Sequence, residues 1–277
     1  MVNQDVVGNM ISQKLDVSLS NRIKFFQKKI ELRDSQKEKI QKSHQWLRKQ
    51  YLDKFDYVEK IFLTGSYKKN TIINQADNDV DMFVVLKGYD EYSIKPNTIL
   101  DKLKNDLQGK YTQTKIKQNR PCIVLNFNHM TFELTPVIQV DNSLQLALGF
   151  DNTSDFYIPN TSNTNEWMQT ENPRILEQKL SKSNANLNYQ LVPLIKMMKK
   201  CKENNNMSNF QSFELEQLAI DNLQIISNYR DGIEQLLRIY NWNHSKYTYD
   251  DIEKFSDIEF AKFCNNIFGD TFPKTGV

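Results

Sequence analysis

The sequence predicts an α/β lobe built on a mixed sheet, followed by a lobe of helices. Three observations carry this. Short apolar strands alternate with helical patterns up to about Val140; residues 149 to 166 are rich in Asn, Asp, Ser and Thr; and from Pro173 onward the apolar spacing is almost wholly helical. The division is placed so that residues 1–165 form the first lobe with its N-terminal helices and residues 166–277 the second. With 277 residues the chain is long enough to bury a core in each.

Residues 1 to about 16 show no clear pattern. Leu19, Ile23, Phe26 and Ile30 recur at helical spacing and predict a helix over 19–30. Ser35-Gln36-Lys37-Glu38 reads as a capping box opening a second helix that runs to about Phe55, with Ile40, Leu47 and Tyr51 on one face. A strand is expected at Ile61 to Thr64, then a Gly-Ser turn and a short helix from Tyr67 to Ile73. The apolar run 79–86 is the next strand. Asn97 is placed as the cap of a helix carrying Ile99, Leu100, Leu103 and Leu107. Three strands are expected near 111–117, 122–127 and 131–139, and residues 149–166 are expected to be a loop. Helices follow near 173–181, 186–202, from Phe213 to Ile226, 231–240 and 250–267.

Composition narrows the function. Lys and Arg number 36 against 34 Asp and Glu, a net charge of +2. A surface that holds long nucleic acid carries a clear cationic excess, so this balance argues against that task while leaving room for a local basic pocket. No long apolar run and no charged-then-apolar leader is visible, so neither a membrane span nor a signal peptide is expected. Cys122, Cys201 and Cys264 are odd in number and far apart, and with His44, His129 and His244 they make no zinc-ligand spacing. A cytoplasmic protein is expected.

The chemistry concentrates in Leu63-Thr64-Gly65-Ser66-Tyr67 and in Asp79-Val80-Asp81-Met82-Phe83-Val84-Val85-Leu86. Side chains at i and i+2 of a strand share a face, so Asp79 and Asp81 project together at the head of an apolar strand. Two like charges there repel unless a cation holds them. Gly65 permits close approach of backbone to a phosphate, and Ser66 adds a hydroxyl donor at a helix start. Asp77 and Asp79 form a second D-x-D; Asp79 and Asp81 are preferred because Asp81 abuts the apolar run. Two divalent ions need more oxygen ligands than two aspartates supply, and Glu133, between Phe132 and Leu134, is the third carboxylate. Each feature alone has an ordinary explanation: a turn, a solvated strand end, an outward-facing acid. Together they describe magnesium-dependent phosphoryl chemistry.

Gly65-Ser66, Asp79-x-Asp81 and a strand carboxylate before Thr135-Pro136 resemble the polymerase-β-like nucleotidyltransferases. Tyr157-Ile158-Pro159-Asn160, Trp167 and Asn172-Pro173, then Leu194-Ile195-Lys196-Met197-Met198-Lys199 and Phe210-Gln211-Ser212-Phe213-Glu214-Leu215-Glu216, resemble in the same order the bacterial cGAS/DncV-like nucleotidyltransferases, the CD-NTases of anti-phage (CBASS) systems. The resemblance covers about residues 35 to 225. It departs at Glu133, where an aspartate is usual, and at Lys68-Lys69-Asn70, where arginine-glycine is often found.

The resemblance implies a polymerase-β-like catalytic lobe, a helical nucleotide-binding lobe and an active site in the cleft between them. It implies two Mg2+ ions, with Mn2+ as a substitute, on Asp79, Asp81 and Glu133. The donor triphosphate would meet Gly65, Ser66, Lys199 and Ser212, with its base stacked on Phe213. The implied reaction condenses ATP with a second ATP or another nucleoside triphosphate into a cyclic di- or trinucleotide messenger, releasing pyrophosphate. Implied partners are those nucleotides and regulatory or effector proteins of the defence system, with no long nucleic acid and no membrane. Three other readings of the residues stay open: a tRNA-type RNA-end enzyme, a protein-directed nucleotidyltransferase, and an inactive nucleotide-binding homologue.

Overall fold

In the computed structural model of the chain, the described residues are 18–75, 79–111, 114–119, 121–128, 130–140, 155–163, 165–205, 211–242 and 246–273. The patternless start, Asp77 and the first part of the polar 149–166 stretch lie outside them. The chain divides into two compact units, one of residues 32–178 and one that joins residues 1–31 to 179–277.

The unit of residues 32–178 is a mixed α/β structure. Helix α2 (Asp34–Gln50) is followed by a 3-10 turn at Leu52–Lys54, strand β1 (Val58–Leu63), the single turn α3 (Gly65–Lys68) and strand β2 (Asp79–Leu86). Helix α4 (Pro96–Gln108) leads to β3 (Lys115–Asn119), β4 (Cys122–Phe127), β5 (Met130–Val140), β6 (Asp155–Pro159) and β7 (Trp167–Thr170). The main sheet runs β1-β2-β5-β4-β3, and β6 pairs with β5 and β7. β2 and β5 are parallel neighbours; the other pairings are antiparallel. A parallel pair needs a long crossover, and the chain from α4 through β4 supplies it.

Alternation decides what each face of this sheet does. Val80, Met82 and Val84 of β2 join Phe132 and Leu134 of β5 and Ile123 and Leu125 of β4 in a core closed by Ile40 and Leu47 of α2 and Leu100, Leu103 and Leu107 of α4. Phe156 of β6 packs with Val85 and Val137 at the far end of the opposite face, beside Phe62 and Phe83. Trp167 of β7 donates its Nε1 hydrogen to the Ile94 carbonyl at 2.7 Å.

Several local expectations shift. The expected box at Ser35 and Glu38 is displaced: Gln36 accepts from the Arg33 N–H at 2.8 Å, which places Ser35 inside the first turn. Lys95 occupies the cap position of α4 with Pro96 at its first position, where a missing N–H costs nothing, so Asn97 is not the cap. The helix expected over 67–73 is one turn, closed when Ser66 O accepts from Thr71 N and Ile72 N at 2.9 and 3.1 Å. β6 arises within the stretch expected to be a loop, because Phe156 and Ile158 supply alternate apolar contacts.

The other unit is helical among its described residues. Helix α1 (Leu19–Ile30) packs Phe26 on Phe268 and Phe272, with ring centroids 4.7 and 5.4 Å apart. Helix α5 (Pro173–Asn186) begins in the sheet unit and ends in this one. It is followed by α6 (Leu191–Asn204), α7 (Ser212–Asn222), α8 (Tyr229–Ile239), α9 (Tyr249–Lys254) and α10 (Asp257–Phe268). Gly232 lets α8 lie close to α6: a Cβ there would stand 2.6 Å from Leu194 Cδ1. No helix among the described residues is long and apolar enough to cross a membrane.

Candidate active site

The strand 79–86 starts where the sequence places it, and its odd positions carry the acids. β2 pairs in parallel with β5 so that Asp79 stands beside Thr131 and Asp81 beside Glu133. Neighbouring strands lie about 4.8 Å apart, so the three carboxylates form a row across two strands on one face. Thr131 is fixed in turn, its hydroxyl donating to Asn126 Oδ1 at 3.2 Å. Asp77, the competing member of the D-x-D pair, lies outside the described residues.

The α3 turn closes against this row. Thr64 N donates to the Asp81 carbonyl at 3.0 Å, aligning the end of β1 with the acids. Gly65 has φ +66°, and a Cβ there would fall 1.8 Å from Asp81 Oδ2. Only glycine leaves room for that carboxylate and also adopts that backbone without strain. Ser66 is the next residue of the same turn, so the sheet unit brings Gly65 and Ser66 to the head of β2.

Electrostatics show the row as an unbalanced concentration of charge. Burial first, and then Asp79 and Glu133, push the Asp81 carboxyl up to about 7, and Lys69 offsets this only in part. Glu133 is raised by burial and by Asp79, with a hydrogen bond from Cys122 opposing. Cys122 is buried on β4, where its single Sγ hydrogen is shared between Glu133 and the Asn119 carbonyl, the latter at 2.9 Å, and burial with the Glu133 charge pushes its thiol far up. Sequence spacing offered no signal for that thiol, because only the β4–β5 pairing brings it near Glu133.

Hard oxygen donors gathered like this, with the proton affinities of Asp81 and Glu133 raised by burial and neighbouring charge, are suited to a hard divalent cation. The residues fit magnesium in donor type and charge. Among the described residues, no three His, Cys, Asp or Glu side chains are gathered to close on an ion as they stand.

The remaining expected residues lie in the helical unit. Lys199 on α6 is buried, and its Nζ donates to Glu216 Oε1 of α7 at 2.5 Å. Ser212 is the first residue of α7 and exposed; Phe213 follows it and is 55 % exposed. Gln211 N donates to Glu214 Oε2 at 2.7 Å, a cap that defines this helix start. Ser212 and Glu216 stand at i and i+4, so Lys199 is drawn to the face of α7 that bears Ser212.

The family model described as Second Messenger Oligonucleotide or Dinucleotide Synthetase domain matches residues 17–184. The chain belongs to this family. No curated protein matches it in sequence. Among solved structures it is similar to E. coli MS115-1 CdnC with ATP, at TM-score 0.67 and 15% identity over 92% of this chain and 99% of that one. Rhodothermus marinus CdnE c-UMP-AMP synthase with Apcpp and Upnpp matches at TM-score 0.60 and 16% identity, covering 86% and 87%. Vibrio cholerae DncV cyclic AMP-GMP synthase with the linear intermediate 5' pppA(3',5')pG matches at 0.56 and 12%, covering 96% and 82%. At these identities the likeness establishes the fold of this synthetase chain: a mixed α/β sheet with a helical C-terminal portion.

Proposed function

We propose that this synthetase condenses nucleoside triphosphates into a cyclic di- or trinucleotide, with release of pyrophosphate, in anti-phage defence. The observation that carries the reading is the parallel register that sets Asp81 beside Glu133, with Asp79 on the same face, in a chain of this family. The nucleotides held by CdnC, CdnE and DncV support triphosphates as substrates.

Asp79, Asp81 and Glu133 would hold Mg2+, with Mn2+ as a substitute. When bound, the metal supplies positive charge that acidifies the acceptor hydroxyl and neutralises charge at the transferring phosphate. The chain's own groups do the rest. The turn at Gly65 and Ser66 brings backbone and a hydroxyl to the phosphates, and Asp81 packs over Gly65 so that turn and carboxylate keep one spacing. Asp81 holds a proton more tightly than an ordinary carboxyl, because it is buried beside Asp79 and Glu133. Lys199 and Ser212 contact the donor triphosphate, and Phe213, exposed beside Ser212, stacks on the base. The first lobe supplies the chemistry and the helical lobe the nucleotide contacts. Such a protein acts in the cytoplasm, on mononucleotides and without long nucleic acid.

The test is incubation of the full chain with labelled ATP, GTP, CTP and UTP plus magnesium, then phosphatase treatment and mass analysis. A phosphatase-resistant cyclic product, unchanged by added nuclease, is expected. Label at an RNA 3′ end with no cyclic species would replace this reading with that of an RNA-end enzyme.

A further inference from the structure

Two lysines of α6, one turn apart, are buried and paired, but they are paired differently. Lys196 donates at 3.0 Å to Glu31, whose side chain is 42% exposed. Lys199 pairs with Glu216, and the two side chains are 7% and 2% exposed. In this pair both partners are buried. A buried pair is a poor source of stability, because desolvating two charges offsets most of their attraction and two apolar residues would pack as well. Its presence calls for another account.

That account lies in what Glu216 shares with its helix. It stands one turn below Ser212 on α7, so their side chains are neighbours about 5–6 Å apart at Cβ. The face they share descends from solvent at Ser212 to the interior at Glu216. Glu216 is itself held at depth: Leu215 accepts from the Tyr240 hydroxyl at 2.9 Å, and the Glu216 charge is felt at that phenol. The ammonium of Lys199 is therefore held on the face of α7 that bears Ser212, about a turn from the start of that helix.

We propose that Glu216 is a positioning residue for the donor nucleotide: it anchors the Lys199 ammonium beside Ser212, so that a triphosphate meets lysine, hydroxyl and helix start already aligned. This rests on the reading of Lys199 and Ser212 as triphosphate contacts, and it adds a residue that touches no substrate. A flexible lysine loses rotamer freedom when it binds phosphate, and prior fixation removes that cost.

The experiment measures calorimetric affinity for a non-hydrolysable ATP analogue with magnesium, and for adenosine, in the full chain. Glu216→Gln keeps the shape and an acceptor oxygen. It is expected to weaken the analogue about tenfold while adenosine stays within about twofold. A general loosening of the fold would weaken both. Lys199→Met tests the underlying reading, since unchanged analogue affinity would remove Lys199 from the triphosphate site. Analogue affinity lost in Lys199→Met but kept in Glu216→Gln would overturn the proposal alone. Should Glu216→Gln not fold, Lys199→Met with Glu216→Met replaces the pair by packed apolar groups. It is expected to bind the analogue as Lys199→Met does, and a further loss would show Glu216 acting independently of Lys199. Glu31→Gln, which cuts the other lysine pair of α6, is expected to leave both affinities unchanged. An equal loss there would reduce the effect to slackening of α6 and overturn the specific role.

Discussion

On β2, Val80, Met82 and Val84 are fully buried under α2 and α4, while Asp79 and Asp81 alternate with them and turn to the other face beside Glu133. Backbone, strand and hydrogen-bond ladder are shared, so position along the pleat alone separates packing from charge. The even face releases free energy by removing apolar surface from water. The odd face costs free energy, because three acids are brought together and partly desolvated. The comparison teaches that stability and chemistry are divided by parity at the head of the strand only, since farther along Phe83 and Val85 carry packing on the odd face as well.

The largest expected effect breaks the odd face. Asp79→Asn with Asp81→Asn should reduce product to background, and the metal-free protein should melt at a higher temperature than the parent because like charges are gone. Near-normal synthesis by a folded double mutant would remove the carboxylates from the chemistry. The intermediate effect breaks the even face. Met82→Ala should cost about 2–5 kcal/mol of stability in denaturant titration. Turnover per folded molecule should hold at low temperature, since Met82 faces away from the acids; its loss in folded protein would show that the faces are not independent.

The smallest effect sharpens the contrast through pH. Asp81 has a folded proton affinity raised from an ordinary value of 3.8 to about 7. A raised carboxyl favours the protonated folded state, so its penalty is absent below the ordinary value. The penalty grows as pH rises through that interval and is complete above about 7. Melting of the metal-free chain should therefore shift downward between about pH 4 and 7, and Asp81→Asn should flatten that slope. An equal slope in the mutant would assign the dependence to other groups.

Much of this was legible in the sequence, for reasons that can be named. The strand over 79–86 shows because its alternation is local, and the Gly-Ser turn shows because glycine marks a backbone requirement. The register of Asp81 on Glu133 was not legible, since it depends on two strands meeting across the intervening α4, β3 and β4. β6 was missed because polar residues flank a short run whose strand character comes from pairing with β5 and β7. Lys199 stood out by resemblance, but its burial against Glu216 came from the packing of α6 on α7, which no spacing within either helix reveals.

The parallel pairing of β2 with β5 also has a kinetic meaning. Local hairpins such as β3–β4 and β4–β5 close early, because little chain must be ordered to form them. The β2–β5 ladder spans α4, β3 and β4, so more chain must be ordered to close it. During synthesis the aspartates leave the ribosome well ahead of Glu133, and until β5 docks they are two separate solvated acids. The charge that makes the folded site expensive is thus assembled only when β5 pairs with β2, a long-range step that also closes the apolar face beneath it.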